Sequence, residues 1–145
     1  VLMCDLDHFK QVNDQRSHAA GDDVLQQFAS RAQKFIRGNS DWIARYGGEE
    51  FMIVLPETCY DESLIVAEKL RHLIASTPFP TRAGDVSVTA SFGVASTGLQ
   101  GPDLALHVET LIRAADESLY KAKMAGRNCL TGQELGAPLP LAAHG

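Results

Sequence analysis

The sequence predicts an α/β fold in which helices flank a mixed central β-sheet. Apolar residues recur at helical spacing in three separate stretches of the chain. Shorter apolar runs between these stretches have the length and composition of strands. The predicted order is strand, helix, hairpin, helix, strand, helix, which is typical of a sheet covered by helices. The length of 145 residues suits a single domain with one core.

The first half of the chain supplies a strand, a helix and a hairpin. The apolar run from Val1 to Leu6 is typical of a buried strand, and the polar stretch after it predicts a loop. Helical spacing then predicts an amphipathic helix from about Asp22 to Arg37, with Asp22 or Asp23 as its N-cap. Two further strands flank Gly47-Gly48, a pair that favours a type I′ turn with positive φ at both residues.

The second half supplies a helix, a strand, a helix and a tail. Helical spacing from Leu64 to Ile74, ended by Pro78, predicts the second helix. Strict alternation from Val86 to Val94 predicts a strand with one buried face. The last helix is predicted over Leu111 to Ala122. The stretch 131–145 is rich in Gly, Pro and Ala, which predicts a flexible tail or the start of a linker.

The composition narrows the class of protein. The net charge is −5, and the sequence has no basic stripe of the kind that duplex nucleic-acid binders carry. No apolar run is long enough to span a bilayer, and no signal peptide is present. The three cysteines are far apart, which favours reduced thiols and a cytoplasmic location. We therefore expect neither nucleic-acid nor membrane binding by this chain, although its parent protein could still be membrane-anchored.

Carboxylates at strand ends are the main candidates for chemistry. Asp5 and Asp7 end the first strand and share one face by alternation, and Glu49 and Glu50 follow the glycine pair. If the hairpin lies beside the first strand, Asp5 and one glutamate converge. Together with a backbone carbonyl they would form a hard oxygen site that suits Mg²⁺. Acidic residues also favour turns for purely structural reasons, so spacing alone leaves both interpretations open.

The glycines and the C-terminal basic residues also have two interpretations each. Gly47 and Gly48 satisfy a tight turn, and their missing side chains would let a bulky ligand approach the backbone. Lys123 and Arg127 lie four residues apart near the end of the last helix. They either complement the helix dipole or bind phosphate.

The polar stretch after the first strand contains further candidates. Asn13 and Asp22 have the donors and acceptors that read a base edge, but Asp22 is equally a candidate helix cap. Lys10 and His18 do not by themselves indicate a binding site, because single basic residues and histidines in loops are commonly just solvated.

Four stretches of the sequence, in this order, resemble the GGDEF family, the diguanylate cyclases. They are DLDHFKQVNDQRSHAAGDDVL, then RYGGEEF with the naming motif in its GGEEF form, then SVTASFGVA and ADESLYKAKMAGRN. The resemblance covers roughly residues 1–130, and a chance match of four ordered motifs is hardly credible. It implies a fold like that of nucleotidyl cyclases and polymerase palm domains.

The resemblance also implies an activity. Two GTP molecules would be joined into cyclic di-GMP with release of two pyrophosphates, and because each subunit holds one GTP, a homodimer would be required. Asp5, the carbonyl of Leu6 and Glu49 would hold Mg²⁺ or Mn²⁺. Glu49 or Glu50 would accept the proton of the attacking 3′-hydroxyl, and the sequence does not separate these two candidates.

The substrate-binding residues follow from the same motifs. Asn13 and Asp22 would read the guanine, with His18 near the nucleotide. Phosphate binding and room for GTP would come from the following residues: Lys10, Lys123, Arg127, Gly47 and Gly48.

Two departures from the family pattern stand out. Many members carry an inhibitory product site, Arg-x-x-Asp; here Asp41 holds the Asp position, but Gly38 stands where Arg belongs and Arg37 comes one residue too early. This predicts weak or absent product inhibition. The helix and Asp-x-Leu-Thr segment that usually precede the first strand are also absent. We therefore expect residues 1–130 to be a domain lacking its N-terminal portion, with a sensory or regulatory domain upstream.

An inactive module is the alternative to an active cyclase. Such a module would bind GTP or a protein partner without turnover. The acidic and glycine residues of the motif are intact, which favours the enzyme. A plain α/β scaffold with acidic turns is a more remote alternative.

Overall fold

The computed structural model describes residues 1–136 of the chain. It is an α/β fold with a mixed sheet and four helices, which confirms the predicted fold class. None of these helices combines the length and the apolar character needed to cross a membrane. The elements in chain order are β1 (Leu2–Leu6), α1 (Phe9–Gln15), α2 (His18–Phe35), β2 (Trp42–Gly47), β3 (Glu50–Val54), α3 (Tyr60–Ser76), β4 (Phe79–Thr81), β5 (Gly84–Val86), β6 (Ala90–Thr97), α4 (Gly101–Met124) and β7 (Leu130–Leu135).

The main sheet has five strands in the order β2-β3-β1-β6-β7, and β4 with β5 forms a separate hairpin. β1 lies in the centre, antiparallel to both β3 and β6, and all five of its residues are buried. β6 and β7 are parallel. The hairpin β2–β3 therefore lies directly beside β1, as the convergence of the acidic residues requires.

Helices cover both faces of the sheet. Alternate residues of β1 face the larger core cluster, to which α2 and α3 contribute, and Phe28 of α2 packs against Phe51 of β3 with ring centroids 4.7 Å apart. On the opposite face, Met3 belongs to the cluster formed with α4. The backbone of α4 lies very close to β6, because a Cβ on Gly93 would be only 2.8 Å from the Cα of Leu119. This close approach fixes where the C-terminal end of α4 meets the sheet.

The start of α2 differs from the prediction. The structure has a short helix, α1, in the predicted loop, and α2 begins at His18 rather than at Asp22. Its N-cap is Ser17, whose Oγ accepts a hydrogen bond from the Ala20 N–H at 3.0 Å. The prediction that Asp22 or Asp23 caps this helix is therefore wrong. Asp22 is exposed within the helix, so its carboxylate is not used by the cap.

The turn between β2 and β3 lies one residue later in the chain than the prediction places it. Gly47 is paired with Glu50 at the end of the β2–β3 ladder, so Gly48 and Glu49 are the two central residues. Gly48 has φ of 52°, whereas Gly47 is not among the residues with positive φ. The prediction of positive φ at both glycines is thus wrong. The ladder also shifts register between Arg45 and Gly47, which displaces the turn.

The second half of the chain differs from the prediction at four points. The predicted strand from Val86 to Val94 is interrupted, because β5 ends at Val86 and β6 begins at Ala90. β6 is buried on both faces, since α3 and α4 both pack on it, so the prediction of one buried face is wrong. α4 begins ten residues before Leu111. The predicted tail 131–145 is wrong for residues 131–135, which belong to β7, and residues 137–145 lie outside the described part.

Candidate active site

Three elements meet where β1 ends: β1 itself, the β2–β3 turn and the last turn of α4. Asp5 is the cross-strand neighbour of Glu50, so their side chains share one face of the sheet. The Leu6 N–H donates to the carbonyl of Glu49 at 3.3 Å. The structure therefore brings Asp5 and one glutamate, Glu50, together as the sequence predicts, with the Glu49 backbone beside Leu6.

Lys123 of α4 reaches the same place. Its Nζ lies 2.8 Å from Oδ2 of Asp5, although 118 residues separate the two in sequence. The Asp5 side chain is only 10% exposed and that of Lys123 is 30% exposed, so the carboxylate side of this ion pair is shielded from water. A lysine predicted to hold phosphate thus contacts a carboxylate predicted to hold a metal ion.

The acidic groups of this cluster disfavour one another's ionisation. Burial raises the pKa of Asp5; Lys123 opposes this effect, and the charges of Glu49 and Asp7 add to it. Burial, followed by the charge of Asp5, also raises the pKa of Glu50. A bound cation would lower the energy of these ionised groups, because opposite charge favours the charged form of a carboxyl.

The oxygen atoms present fit a hard divalent cation. The predicted ligand set, Asp5, the Leu6 carbonyl and Glu49, consists of oxygen donors, the ligand type that Mg²⁺ prefers. Among residues 1–136, no group of three or more His, Cys, Asp or Glu side chains is arranged to hold a metal ion. The two carboxylates would therefore leave several coordination positions for phosphate and water oxygens, which is the usual arrangement for Mg²⁺ on a nucleotide.

The raised pKa of Glu50 implies that the stability of the fold depends on pH. The folded state binds the Glu50 proton more tightly than the unfolded chain, so folding loses stability as the pH rises above the unfolded glutamate pKa of about 4.3. Glu50→Gln is therefore expected to raise the melting temperature at pH 7 and to leave it unchanged near pH 3. Thermal melts at both pH values check this. The control is Glu117→Gln, at an exposed position on α4, which should change the melting temperature at neither pH. A Glu50→Gln variant that is no more stable than wild type at pH 7 would contradict the prediction.

The glycine turn leaves open space beside the acidic cluster. A Cβ on Gly47 or on Gly48 would meet no atom within 4 Å. The turn is held from one side, because Nε of Arg45 donates to the carbonyl of Gly48 at 2.7 Å. The missing side chains therefore leave room for a ligand next to a turn of fixed shape.

The predicted base-reading residues lie on α1 and α2. The Asn13 side chain packs against the backbone of Gly21, since a Cβ there would be 3.0 Å from Asn13 Cγ. Asn13 is thereby placed beside the first two turns of α2, which carry His18 and Asp22, both exposed. Lys10 is exposed on α1, three residues before Asn13.

Comparison with known proteins decides the family. The family model described as "Diguanylate cyclase, GGDEF domain" matches residues 1–129. The chain belongs to the GGDEF family. Among its relatives, diguanylate cyclase DgcP of Pseudomonas aeruginosa is 41% identical over 130 residues, which cover 90% of this chain and 18% of DgcP. The chain spans 29% of the length of another relative, the response regulator PleD of Caulobacter vibrioides, so it covers only part of these relatives.

Solved GGDEF structures have the same fold. The active GGEEF domain of a diguanylate cyclase from Vibrio cholerae has a TM-score of 0.75 and 33% identity, covering 90% of this chain and 80% of that one. The GGDEF domain of DgcB from Caulobacter crescentus, in complex with c-di-GMP, has a TM-score of 0.77 and 30% identity, covering 90% of this chain and 75% of that one.

This GGDEF domain also contains a buried carboxylate whose hydrogen-bond partners the sequence does not predict. Asp7 is only 5% exposed, and it accepts hydrogen bonds from Thr89 Oγ1 at 2.7 Å, Ser91 Oγ at 2.7 Å and the Asn128 N–H at 3.0 Å. In the sequence, the hydroxyl residues Thr89 and Ser91 occupy alternate positions of the stretch SVTASFGVA and so share one face of the strand, which indicates candidate partners for Asp7. Asp7 thus joins the end of β1 to β6 and to the segment after α4.

Proposed function

We propose that this GGDEF domain condenses two GTP molecules into cyclic di-GMP and releases two pyrophosphates. The observation that carries the proposal is the meeting of Asp5, Glu50 and Lys123 beside an open glycine turn. It combines acidic ligands for a cation, a basic group for phosphate and space for a nucleotide. The names of the relatives support the same activity.

The metal-binding role is assigned to Asp5, the Leu6 carbonyl and Glu49, holding Mg²⁺ or Mn²⁺. When bound, such an ion would stabilise the charge that develops on the triphosphate and lower the pKa of the attacking hydroxyl. The chain's own contribution is to hold these oxygen atoms on a buried central strand and on the hairpin paired with it. This keeps the ligands in place before the nucleotide enters.

The basic residues bind and orient the phosphates. Lys123 is already within the cluster, and Arg127 and Lys10 are exposed cations on neighbouring segments. Asn13 and Asp22 would orient the guanine, with His18 close to the nucleotide. Asp22 can accept two hydrogen bonds from the N1–H and N2–H₂ edge of guanine, which adenine does not offer.

The proton of the 3′-hydroxyl would pass to Glu49 or Glu50. The raised pKa of Glu50 brings its proton affinity closer to that suited to a general base near neutral pH. Glu49 lies in the turn itself and is the alternative acceptor. Since each domain binds one GTP, catalysis requires a homodimer in which two such sites face each other. We place the enzyme in the cytoplasm and expect an upstream regulatory domain to control the dimer.

An assay with purified protein tests this function. The protein is supplied with GTP and Mg²⁺, as the chain itself and fused after a parallel coiled coil that enforces dimers. Formation of cyclic di-GMP and pyrophosphate in a ratio of about one to two is the expected result, since each product requires two condensations. GTP binding without turnover in the enforced dimer would indicate the inactive module instead. Neither binding nor turnover would reject both functions.

A prediction about product inhibition arises from the segment before β2. Arg37 does not point freely into solvent, because its Nη2 lies 2.8 Å from Oδ1 of Asp41 and 2.8 Å from Oγ1 of Thr58. The Asp41 side chain is 4% exposed in this ion pair. Asp41, the acidic group that an Arg-x-x-Asp site would offer to cyclic di-GMP, is therefore already paired with Arg37, which stands one residue before the Arg position of that motif.

We accordingly expect cyclic di-GMP to bind this segment no more tightly than micromolar, and turnover to continue as product accumulates. Isothermal titration with cyclic di-GMP measures the affinity. Asp41→Asn should leave product inhibition unchanged. Sub-micromolar binding that is lost in Asp41→Asn would refute the prediction.

A further inference from the structure

The segment after α4 has an unusual backbone conformation. Gly126, Arg127 and Asn128 have φ of 115°, 65° and 47°. Residues with a side chain rarely adopt positive φ, and two in succession persist only where surrounding contacts hold them. The Arg127 N–H donates to the Ala122 carbonyl at 3.1 Å, which ties the turn to the end of α4, and because the residue is otherwise exposed, the further contacts that hold the turn come from its neighbours.

Asn128 supplies those contacts from two directions. Its N–H donates to Oδ2 of Asp7 at 3.0 Å, which attaches the turn to the end of β1. Its side-chain Oδ1 accepts from Nη1 of Arg71 at 2.7 Å, which attaches the turn to α3. Arg71 is itself held on α3 by Glu68, whose carboxylate oxygens lie 2.6 and 2.7 Å from the guanidinium nitrogens. The guanidinium thus has a defined position before it contacts Asn128.

We propose that Arg71 is a positioning residue for Arg127 and acts through the Asn128 side chain. Arg71 belongs to α3, on the opposite face of the sheet from α4, and has no place among the nucleotide-binding residues. With Asp7 it fixes both sides of Asn128, and this sets the backbone of Arg127, which presents its guanidinium to the phosphates. The inference rests on the proposed function, since it assigns Arg127 to phosphate binding.

The test compares the affinity of a non-hydrolysable GTP analogue with that of guanosine, in the whole chain with Mg²⁺, by titration calorimetry. Arg71→Gln is expected to weaken the analogue about fivefold, as the loss of one well-oriented charged contact would, and to leave guanosine unchanged. Arg71→Lys keeps a donor for Asn128 and should recover part of the loss. Lys69→Gln is the matched control, because it removes an exposed cation from the same helix and should leave both affinities unchanged.

A double-mutant cycle separates positioning from a general structural effect. If Arg71 acts through Arg127, Arg71→Gln weakens analogue binding in the wild-type background and has no further effect in Arg127→Ala. Equal losses in both backgrounds, or equal losses for the analogue and for guanosine, would overturn the inference. If Arg127→Ala weakens the analogue and Arg71→Gln does not, the inference alone fails. If the wild-type chain binds no analogue at all, the proposed function fails and the positioning role fails with it.

Discussion

Glu49→Gln is expected to abolish cyclic di-GMP synthesis by this GGDEF domain. The substitution keeps the size of the side chain but removes the negative charge that would hold a cation or accept a proton. Loss of general-base catalysis alone costs about 10²- to 10⁴-fold in rate, and loss of a metal ligand would add to this. The fold should persist, because the bond from Leu6 uses the backbone carbonyl of Glu49, which the substitution retains.

The measurement is pyrophosphate release and cyclic di-GMP formation in the enforced dimer, with GTP affinity determined in parallel. Glu109→Gln removes an exposed acid from α4 and should retain full activity. Undiminished synthesis by Glu49→Gln would remove Glu49 from the proposed catalytic set.

Gly93→Ala is expected to destabilise the whole domain. The added Cβ would lie 2.8 Å from the Cα of Leu119 and closer still to two backbone atoms of α4, the Ala115 carbonyl oxygen and the Leu119 nitrogen. Because backbone cannot move aside like a flexible side chain, α4 must shift away from β6. Overpacking of this kind costs about 1–3 kcal/mol, and we expect the upper end or more.

The shift would also move Lys123 away from Asp5, so the site should lose nucleotide affinity even where the domain remains folded. Urea denaturation measures the free energy of unfolding, and titration measures the affinity. Gly98→Ala is the control, since a Cβ there meets nothing within 4 Å. Equal stability of Gly93→Ala and wild type would show that α4 does not pack as closely on β6 as described.

The convergence of Asp5 and Glu50 could be predicted because it depends on local rules. A hairpin signal and a strand-end pattern, combined with one assumption about strand adjacency, place the two carboxylates together, and the β1–β3 pairing confirms that assumption. The glycine turn was displaced by one residue because the register shift in the β2–β3 ladder has no signature in the sequence.

The predictions that failed depend on tertiary contacts. The sequence pattern does not predict α1, because only Phe9 and Val12 are buried in this helix, which is too few to produce a helical period. The sequence pattern predicts one exposed face for β6, because Ser91 and Gly93 are polar or neutral residues at alternate positions. In the structure Ser91 bonds to Asp7, 84 residues away, and Gly93 admits the helix backbone.

The two sides of the site, the end of β1 and the turn after α4, differ in how readily they open by local unfolding. Asp5 and Leu6 belong to β1, which is hydrogen-bonded on both sides and wholly buried, so their amide protons should exchange only through near-global unfolding. Arg127 instead lies in an exposed turn, where local opening costs far less free energy. We therefore expect amide exchange to be much slower at Asp5 and Leu6 than at Arg127, so that the two sides of the site open on different timescales.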